Sequence, residues 1–433
     1  MINFLTARLQ TLIHHTFSSL KIRNYRLFFF GQAVSLSGTW MQTIAQDWLV
    51  LNLSHSGTVL GLVTALQFLP VLLLGPIGGV IADRFPKRKI LYLTQTGAGL
   101  LALIFGLLVA TGSIRLWMVF LLAPCLGLIN TIDNPTRQTF VFEMVGNDHL
   151  KNAVTLNATL QNFARVIGPT IAGILIATVG LAPCFIINAI SYIAVLYMLY
   201  KMRSNELHHS PLITKLRGRL REGLEYVISN QILRNTLIML TIIGTLTYEF
   251  SVTLPLLAQY TFHGNAGTYA SLSAALGTGS IIGGLYTAAQ RKISPQMLVS
   301  SALFFGISVL LSALAPNFLF AMIFMVFVGI FSIHFLSLAN TTLQIESLPE
   351  MRGRVMSLWA MAFLGSTPIG GPIIGLIGEH AGPRCALAIS GLAAVIAAAI
   401  GAIAIRNGNY HKISTGIEIT SSSTDTQENS KIP

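Results

Sequence analysis

Acidic side chains are scarce in this chain. Its 433 residues hold 15 Asp and Glu against 27 Lys and Arg, and charged residues of either sign make up only 10%. A water-soluble domain carries about 25%. With 53% hydrophobic residues, the chain reads as a membrane protein. Cysteine is sparse as well. Cys125, Cys184 and Cys385 lie in or beside apolar segments without metal-type spacing, so they read as small packing residues, and no structural disulfide is expected. The sequence also lacks a Walker-type Gly-rich loop, a metal-ligand cluster and a nucleophile–base pairing. ATP-driven pumping by this chain alone is thereby removed, an enzyme or receptor has no support, and no cofactor is implied. Residues 1–26 are mixed and basic rather than apolar, which argues against a cleaved signal peptide.

What the chain does have is long apolar runs. A spanning helix needs about 20 mostly apolar residues. Twelve segments qualify, at 27–53, 58–82, 90–110, 116–142, 153–179, 183–202, 233–260, 267–289, 297–315, 317–343, 354–378 and 383–405. With both termini on one side, 24 of the 27 bases fall on that side; Arg115 and Arg384 fall opposite, and Arg165 lies within a span. Such asymmetry sets both termini in the cytoplasm of a multi-pass protein of the bacterial inner membrane. It also removes nucleic acid as a partner, because the net charge of +12 sits in membrane-flanking loops.

The one long loop, 203–232, lies at the midpoint. Within it Leu216, Leu220, Leu224, Val227 and Ile228 recur at helical spacing among Lys215, Arg217, Arg219, Arg221 and Glu222. This predicts an amphipathic helix on the inner membrane surface. The organisation is therefore an N-terminal segment 1–26, a six-helix bundle 27–202, the linker 203–232, a second six-helix bundle 233–405 and a Ser/Thr-rich tail 406–433 expected to be disordered. The halves repeat. Gly168-Pro169 answers Gly371-Pro372 at an offset of 203, Gly78-Gly79 answers Gly283-Gly284 at 205, and Gly38 answers Gly244 at 206. Ordered matches at nearly one offset are the mark of a two-bundle transporter.

The stretch Gly79-x-x-x-Asp83-Arg84-x-x-Lys87-Arg88 resembles the loop between the second and third spans of the major facilitator superfamily, with Pro86 where that family usually has Gly. Gly168-Pro169-x-x-x-Gly173 is similar to the fifth-span motif of its antiporters and exporters, and Gly371-Pro372-x-x-Gly375 repeats it in the second half. More narrowly, "NYRLFFFGQAVSLSGTWMQTIAQDWLVLNLS", "FLPVLLLGPIGGVIADR" and "NFARVIGPTIAG" resemble the enterobactin-exporter-like branch. The resemblance covers about residues 20–405. It implies an all-α fold of twelve transmembrane helices in two six-helix bundles. It further implies a monomer surrounded by lipid that exports an amphiphilic small molecule, a siderophore or a drug-like compound, by alternating access in exchange for protons. Periplasmic or outer-membrane export partners, and import of a small metabolite or siderophore, stay open. One departure matters: many drug–proton antiporters of this size carry an Arg in the fourth span just before a Gly. Phe120 to Leu126, ahead of Gly127, hold none, so proton coupling does not follow from that motif.

Within the family picture Asp83 docks at the positive N-terminus of the eleventh span, near Arg354. Lys87 pairs with Asp83 or with Glu143, while Gly79 and its neighbour let the second span approach another closely. Arg84, Lys87 and Arg88 otherwise read as topology signals. The second-half counterpart, "GGLYTAAQRK", keeps the bases and loses the acid, so a single latch is expected.

Charge inside a bilayer costs at least a few kcal/mol, which makes each such residue a functional candidate. Arg165 lies ~20 Å into the fifth span and keeps its proton, so it suits an anionic substrate or a carboxylate partner. Glu249 lies ~24 Å along the seventh span and is the first choice for proton coupling. Asp47, near the outer end of the first span, reads as solvated at the outer mouth, and His334 titrates in the right range. Both follow Glu249 as coupling candidates. Asp133 and Arg137 are one turn apart and read as a helix-face pair. Trp40, Gln42, Gln46 and Tyr248 complete the substrate wall with Arg165, joined by Gln32 and Gln259. Trp40 and Tyr248 suit a flat or aromatic substrate. Trp48 and Trp117 read as interface-belt residues.

Overall fold

The computed structural model describes residues 18–208, 219–290, 294–348, 350–363 and 365–406. Arg8, Lys215, Leu216, Arg217, Arg291, Lys292, Lys412 and Lys431 lie outside the described residues, as does the tail from 407. The first bundle contains α1 (Arg23–Ser54), α2 (Gly57–Arg84), α3 (Lys87–Ala110), α4 (Leu116–Thr178) and α5 (Ala182–Lys201). A short helix, α6 (Arg219–Ser229), follows. The second bundle contains α7 (Gln231–Leu246), α8 (Phe250–Leu256), α9 (Ala266–Ala289), α10 (Pro295–Ala313), α11 (Phe318–Ile345), α12 (Arg352–Phe363), α13 (Thr367–His380) and α14 (Pro383–Arg406). No strand occurs among the described residues.

Ten helical stretches are long and apolar enough to cross a membrane. One of them, α4, is 63 residues long and breaks at Gly146, so it holds the fourth and fifth spans read from the sequence. The first span forms as α1, but Gln32, Gln42, Gln46 and Asp47 dilute its apolar character, and it is not among the ten. Large apolar side chains such as Leu93, Ile193, Leu285 and Leu314 stand exposed on the outer surface, as expected where the surrounding solvent is lipid rather than water. Helix starts carry the usual caps. The side chains of Ser56, Asn230, Asn265, Ser294 and Asn317 accept from free N–H groups at the starts of α2, α7, α9, α10 and α11.

The two main contacts between the bundles are α2 along α13 and α4, beyond its break, along α9; α1 also touches α8 and α9. Within the first bundle α1 packs on α4 and α5, and α3 on α5; within the second, α11 packs on α9 and α10, and α10 on α14. The basic clusters at Arg84–Lys89, Lys201–Arg203, Arg352–Arg354 and Arg406 gather at one end of the molecule, called the basic face below; the end that carries Ser56 and His380 is the far face.

Several sequence expectations change. The seventh span is not one helix: α7 stops at Leu246, and α8 begins at Phe250. The intervening side chains are anchored sideways, Thr247 donating to the Ser390 carbonyl at 2.8 Å and Tyr248 to the Ser332 carbonyl at 2.6 Å. The eleventh span is likewise broken between α12 and α13. The linker helix α6 does not simply lie on a surface. Val227 is buried with Leu233, Leu343 and Val355 beneath the second bundle, and Leu224 and Ile228 are the exposed apolar residues. Trp48 is buried in the core rather than placed in a belt, whereas Trp117 is exposed. All three cysteines are free thiols.

Gly146 has φ 65° and ψ −172°, a region that a side chain enters only under strain. A Cβ there would also stand 3.2 Å from the His208 ring. Gly146→Ala is therefore expected to destabilise the protein by about 1–3 kcal/mol, read as a lower melting temperature in detergent. Gly79→Ala, whose Cβ would meet nothing within 4 Å, serves as the control and should leave that temperature unchanged.

Candidate functional site

The two bundles are sealed at the far face and parted at the basic face. At the far face, α2 and α13 touch backbone to backbone: a Cβ on Gly57 would stand 2.7 Å from the Gly375 carbonyl oxygen, and one on Gly61 would run into that of Gly371. Gly173, on α4, meets Ala270 on α9. Gly168 instead packs on Ser37, Trp40 and Met41 of α1, with Pro169 buried beside it, inside the first bundle. The Gly-Pro motif thus serves two surfaces, and Pro372 rides along the α2 contact. Asp47 is buried and accepts from the Tyr269 hydroxyl of the opposite bundle at 2.7 Å. That corrects the solvated outer-mouth reading: Asp47 is part of the seal.

At the basic face α2 stands apart from α12, the first part of the broken eleventh span. Leu73 and Ile77 on α2 are 63% and 54% exposed, and Asp83 makes no hydrogen bond or ion pair among the described residues. Arg354, its expected neighbour, pairs instead with Glu222 of α6 at 2.7 Å. Lys87 is buried and holds Glu143 at 2.6 Å. Arg88 donates to the carbonyls of Leu199 and Tyr200 at the end of α5, where a cation is favoured. Arg84 is exposed. The bases after Asp83 therefore tie α3 to its own bundle rather than bridging the halves. Gly78 abuts Thr131 of α4, whereas Gly79 faces open space.

Between the bundles, three of the expected residues come together. The Arg165 guanidinium lies over the Trp40 ring at 5.2 Å, a cation–π arrangement. Tyr248, from the other half, lies within electrostatic range of it. Arg165 has no carboxylate partner among the described residues. Around Tyr248 sit Phe250, Phe305 and Phe363, with ring centroids 5.9, 5.4 and 4.9 Å away. Trp359 stacks on Phe363 at 5.7 Å, and its indole N–H is buried without a partner. Phe305, Trp359 and Phe363 were not singled out from the sequence, because nothing in an apolar run marks which aromatics face inward.

Gln42 and Gln46 are already engaged within the first bundle. Gln42 accepts from Asn188 at 2.7 Å, and Gln46 donates to Gln67 at 2.8 Å. Glu249 is buried in the second bundle at the gap between α7 and α8, packed against Gly370 and Gly371, with Oε1 unpartnered. It does not meet Arg165. His334 is buried between α9 and α11, bonded through Nδ1 to the Thr287 hydroxyl at 2.8 Å and edge-on to Tyr286. Gln259 has a buried, unpartnered amide oxygen.

The charge pair of α4 is the centre of a wider network. Arg137 Nε lies 2.7 Å from Asp133. Asp133 also accepts from Thr94 at 2.6 Å and Gln95 at 2.8 Å, and Arg137 donates to Gln32 at 2.9 Å. Three helices are thereby bonded around a buried carboxylate.

A family model described as transmembrane secretion effector matches residues 14–416. The staphyloferrin A transporter of Staphylococcus aureus is 24% identical over 380 residues, covering 86% of this chain and 93% of its own. Macrolide efflux protein A of Streptococcus pyogenes is 24% identical over 387 residues, covering 86% and 94%. Among solved structures, a bacterial homologue of the human lysosomal transporter Spinster, inward-facing and unoccupied, superposes with a TM-score of 0.71 at 15% identity, covering 88% of this chain and 96% of that one.

Removing Asp133 leaves Arg137, whose side chain is 23% exposed, without its counter-ion. Breaking a fully buried pair costs about 3–5 kcal/mol. Partial exposure and the retained amide bonds reduce this, so Asp133→Asn is expected to cost about 2 kcal/mol. Asp133→Asn with Arg137→Gln should recover part of that loss, as a thermal-shift comparison of the four proteins would show.

Proposed function

We propose that this chain, which belongs to the transmembrane secretion effector family of major facilitator transporters, exports an amphiphilic anionic small molecule from the bacterial cytoplasm in exchange for protons. The observation that carries this reading is Arg165. A guanidinium stays charged, and a charge at membrane depth is retained where it has work to do. Here it rests on Trp40, faces an aromatic cluster from the opposite half and has no carboxylate beside it among the described residues. A substrate with an anionic group beside a flat apolar body supplies both complements. A siderophore or drug-like compound fits that description, and relatives bearing the names of a siderophore transporter and a macrolide efflux protein support it.

The basic face is taken as cytoplasmic, with both termini there and the protein acting as a monomer in the inner membrane. The arrangement of the two bundles is then closed outside and open inside. Alternating access needs the converse state, in which α2 and α13 part at the far face and Asp83 meets the start of α12. Glu249 is the proposed proton carrier. Its carboxyl abuts the backbone of α13, the helix whose movement opens the far face, so its hydration changes as that contact breaks. Asp47 and His334 are next in order. Asp47 is held by Tyr269 in the closed seal, and His334 lies nearer the basic face.

Arg165→Ala is expected to weaken substrate binding to purified protein about 10- to 100-fold, as for loss of charged hydrogen bonds. Arg165→Lys should keep part of the affinity, because charge survives without the planar fork. Glu249→Gln should bind substrate and support counterflow but fail to drive uphill flux under a pH gradient. Normal binding by both Arg165 variants would remove Arg165 from the substrate site, and uphill flux by Glu249→Gln would pass the proton role to Asp47 or His334. Energised inverted vesicles should accumulate substrate; accumulation only in right-side-out vesicles would make the protein an importer.

A further inference from the structure

The far-face seal contains a carboxylate that no local sequence pattern marks. Glu379 is the second-last residue of α13. It accepts a hydrogen bond from the Ser56 hydroxyl at 2.5 Å and from the Thr58 backbone N–H at 2.9 Å. Ser56 is the N-cap of α2, and its oxygen also accepts from the Val59 N–H at 3.2 Å. A residue of the second bundle therefore satisfies donors at the N-terminus of a helix in the first. Those donors have no partner within their own helix, and the helix dipole adds positive potential there.

Because α2 runs antiparallel to the eleventh span, made of α12 and α13, each end of that pair of spans brings one helix N-terminus beside the other span's C-terminal end. At the far face the acid at the end of α13 caps α2. At the basic face the acid near the end of α2 is Asp83, and the N-terminus it faces begins the eleventh span. In this structure the first cap is made and the second is open. The glycine contacts at 57, 61, 371 and 375 bring the backbones close enough for the far-face cap to form. His55 and Tyr260 join the same seal, the Tyr260 hydroxyl donating to the His55 carbonyl at 3.0 Å.

We infer that Glu379 is the far-face latch of this transporter, the functional counterpart of Asp83 on the same helix pair, and that the two carboxylates cap alternately as the protein changes state. The inference rests on the alternating-access reading above and goes beyond it in assigning the outer gate to one exposed acid. Loop chemistry alone does not require Glu379: it is exposed, and its partners lie 321 and 323 residues away in sequence. A carboxylate that merely completed its own helix would cap nothing on α2.

The two latches predict opposite signs. Thr64, one turn deeper than Gly61, is buried on α2. In a full-length background with Cys125, Cys184 and Cys385 replaced, Thr64→Cys reports opening of the far face to a membrane-impermeant maleimide in right-side-out vesicles. Without substrate, Glu379→Gln should raise the labelling rate about two- to fivefold, the population shift given by losing one charge at a helix N-terminus. Glu379→Asp should fall between wild type and Glu379→Gln, and Ser56→Ala should shift labelling in the same direction as Glu379→Gln. Asp83→Asn should lower labelling, and the Asp83→Asn, Glu379→Gln double variant should return towards wild type. Labelling unchanged or slowed by Glu379→Gln would overturn the latch. Since Glu379 is at the surface, its variants should fold, and a matching melting temperature verifies this. Labelling reads the gate without flux: raised labelling alongside absent transport of every tested anion would keep the latch and reject the substrate reading. Labelling seen only in inverted vesicles would overturn both the orientation and the assignment of Glu379 to an outer gate.

Discussion

The structure depends on the contact between α2 and α13. Two glycines on each helix remove the side chains that would hold them apart, and backbone meets backbone over the outer half of each. In a membrane no hydrophobic driving force pulls helices together, so close van der Waals approach and the few polar contacts decide which surfaces meet. Beyond the far-face contact, α2 diverges from α12 at the basic face. Leu73 and Ile77 are uncovered, Asp83 makes no hydrogen bond or ion pair among the described residues, and Arg354 is held by Glu222 instead. The second inter-bundle contact, α4 with α9, supports the same closure, with Gly173 against Ala270 and the Arg165 carbonyl close to Gly277.

Charge inside the molecule is treated in two different ways. Asp133 and Arg137 neutralise each other and are further held by Thr94, Gln95 and Gln32. The plain consequence of such a network is to tie α1, α3 and α4 together. Arg165 is the contrary case. It has an aromatic face and no acid among the described residues. The satisfied pair and the unneutralised cation therefore sit in opposite electrostatic settings within the same bundle.

Much of the site was legible because charge is rare here. With so few acids and bases in apolar runs, Arg165, Glu249, Asp47 and His334 stand out as candidates; three lie within helices of the bundles, and Glu249 lies at the break between α7 and α8. Their partners were not legible. Tyr269 and Glu379 belong to the second half and reach Asp47 and Ser56 of the first across more than 200 positions. The glutamines show the reverse error. Gln42 and Gln46 look like cavity polars by composition, yet Asn188 and Gln67 occupy them. Trp48 looks like an interface residue by position and is core by packing.

The sequence by itself determined the membrane class, the helical fold, the repeat of its halves and the side on which bases gather. Each follows from local composition: apolar length sets a span, charge asymmetry sets orientation, and a recurring offset exposes duplication. The tertiary structure decided which end is closed, which carboxylates are hydrogen-bonded across the bundles and which cation has no acid beside it among the described residues. Those depend on how the two bundles pack against each other, through contacts between residues hundreds of positions apart, which no local pattern records.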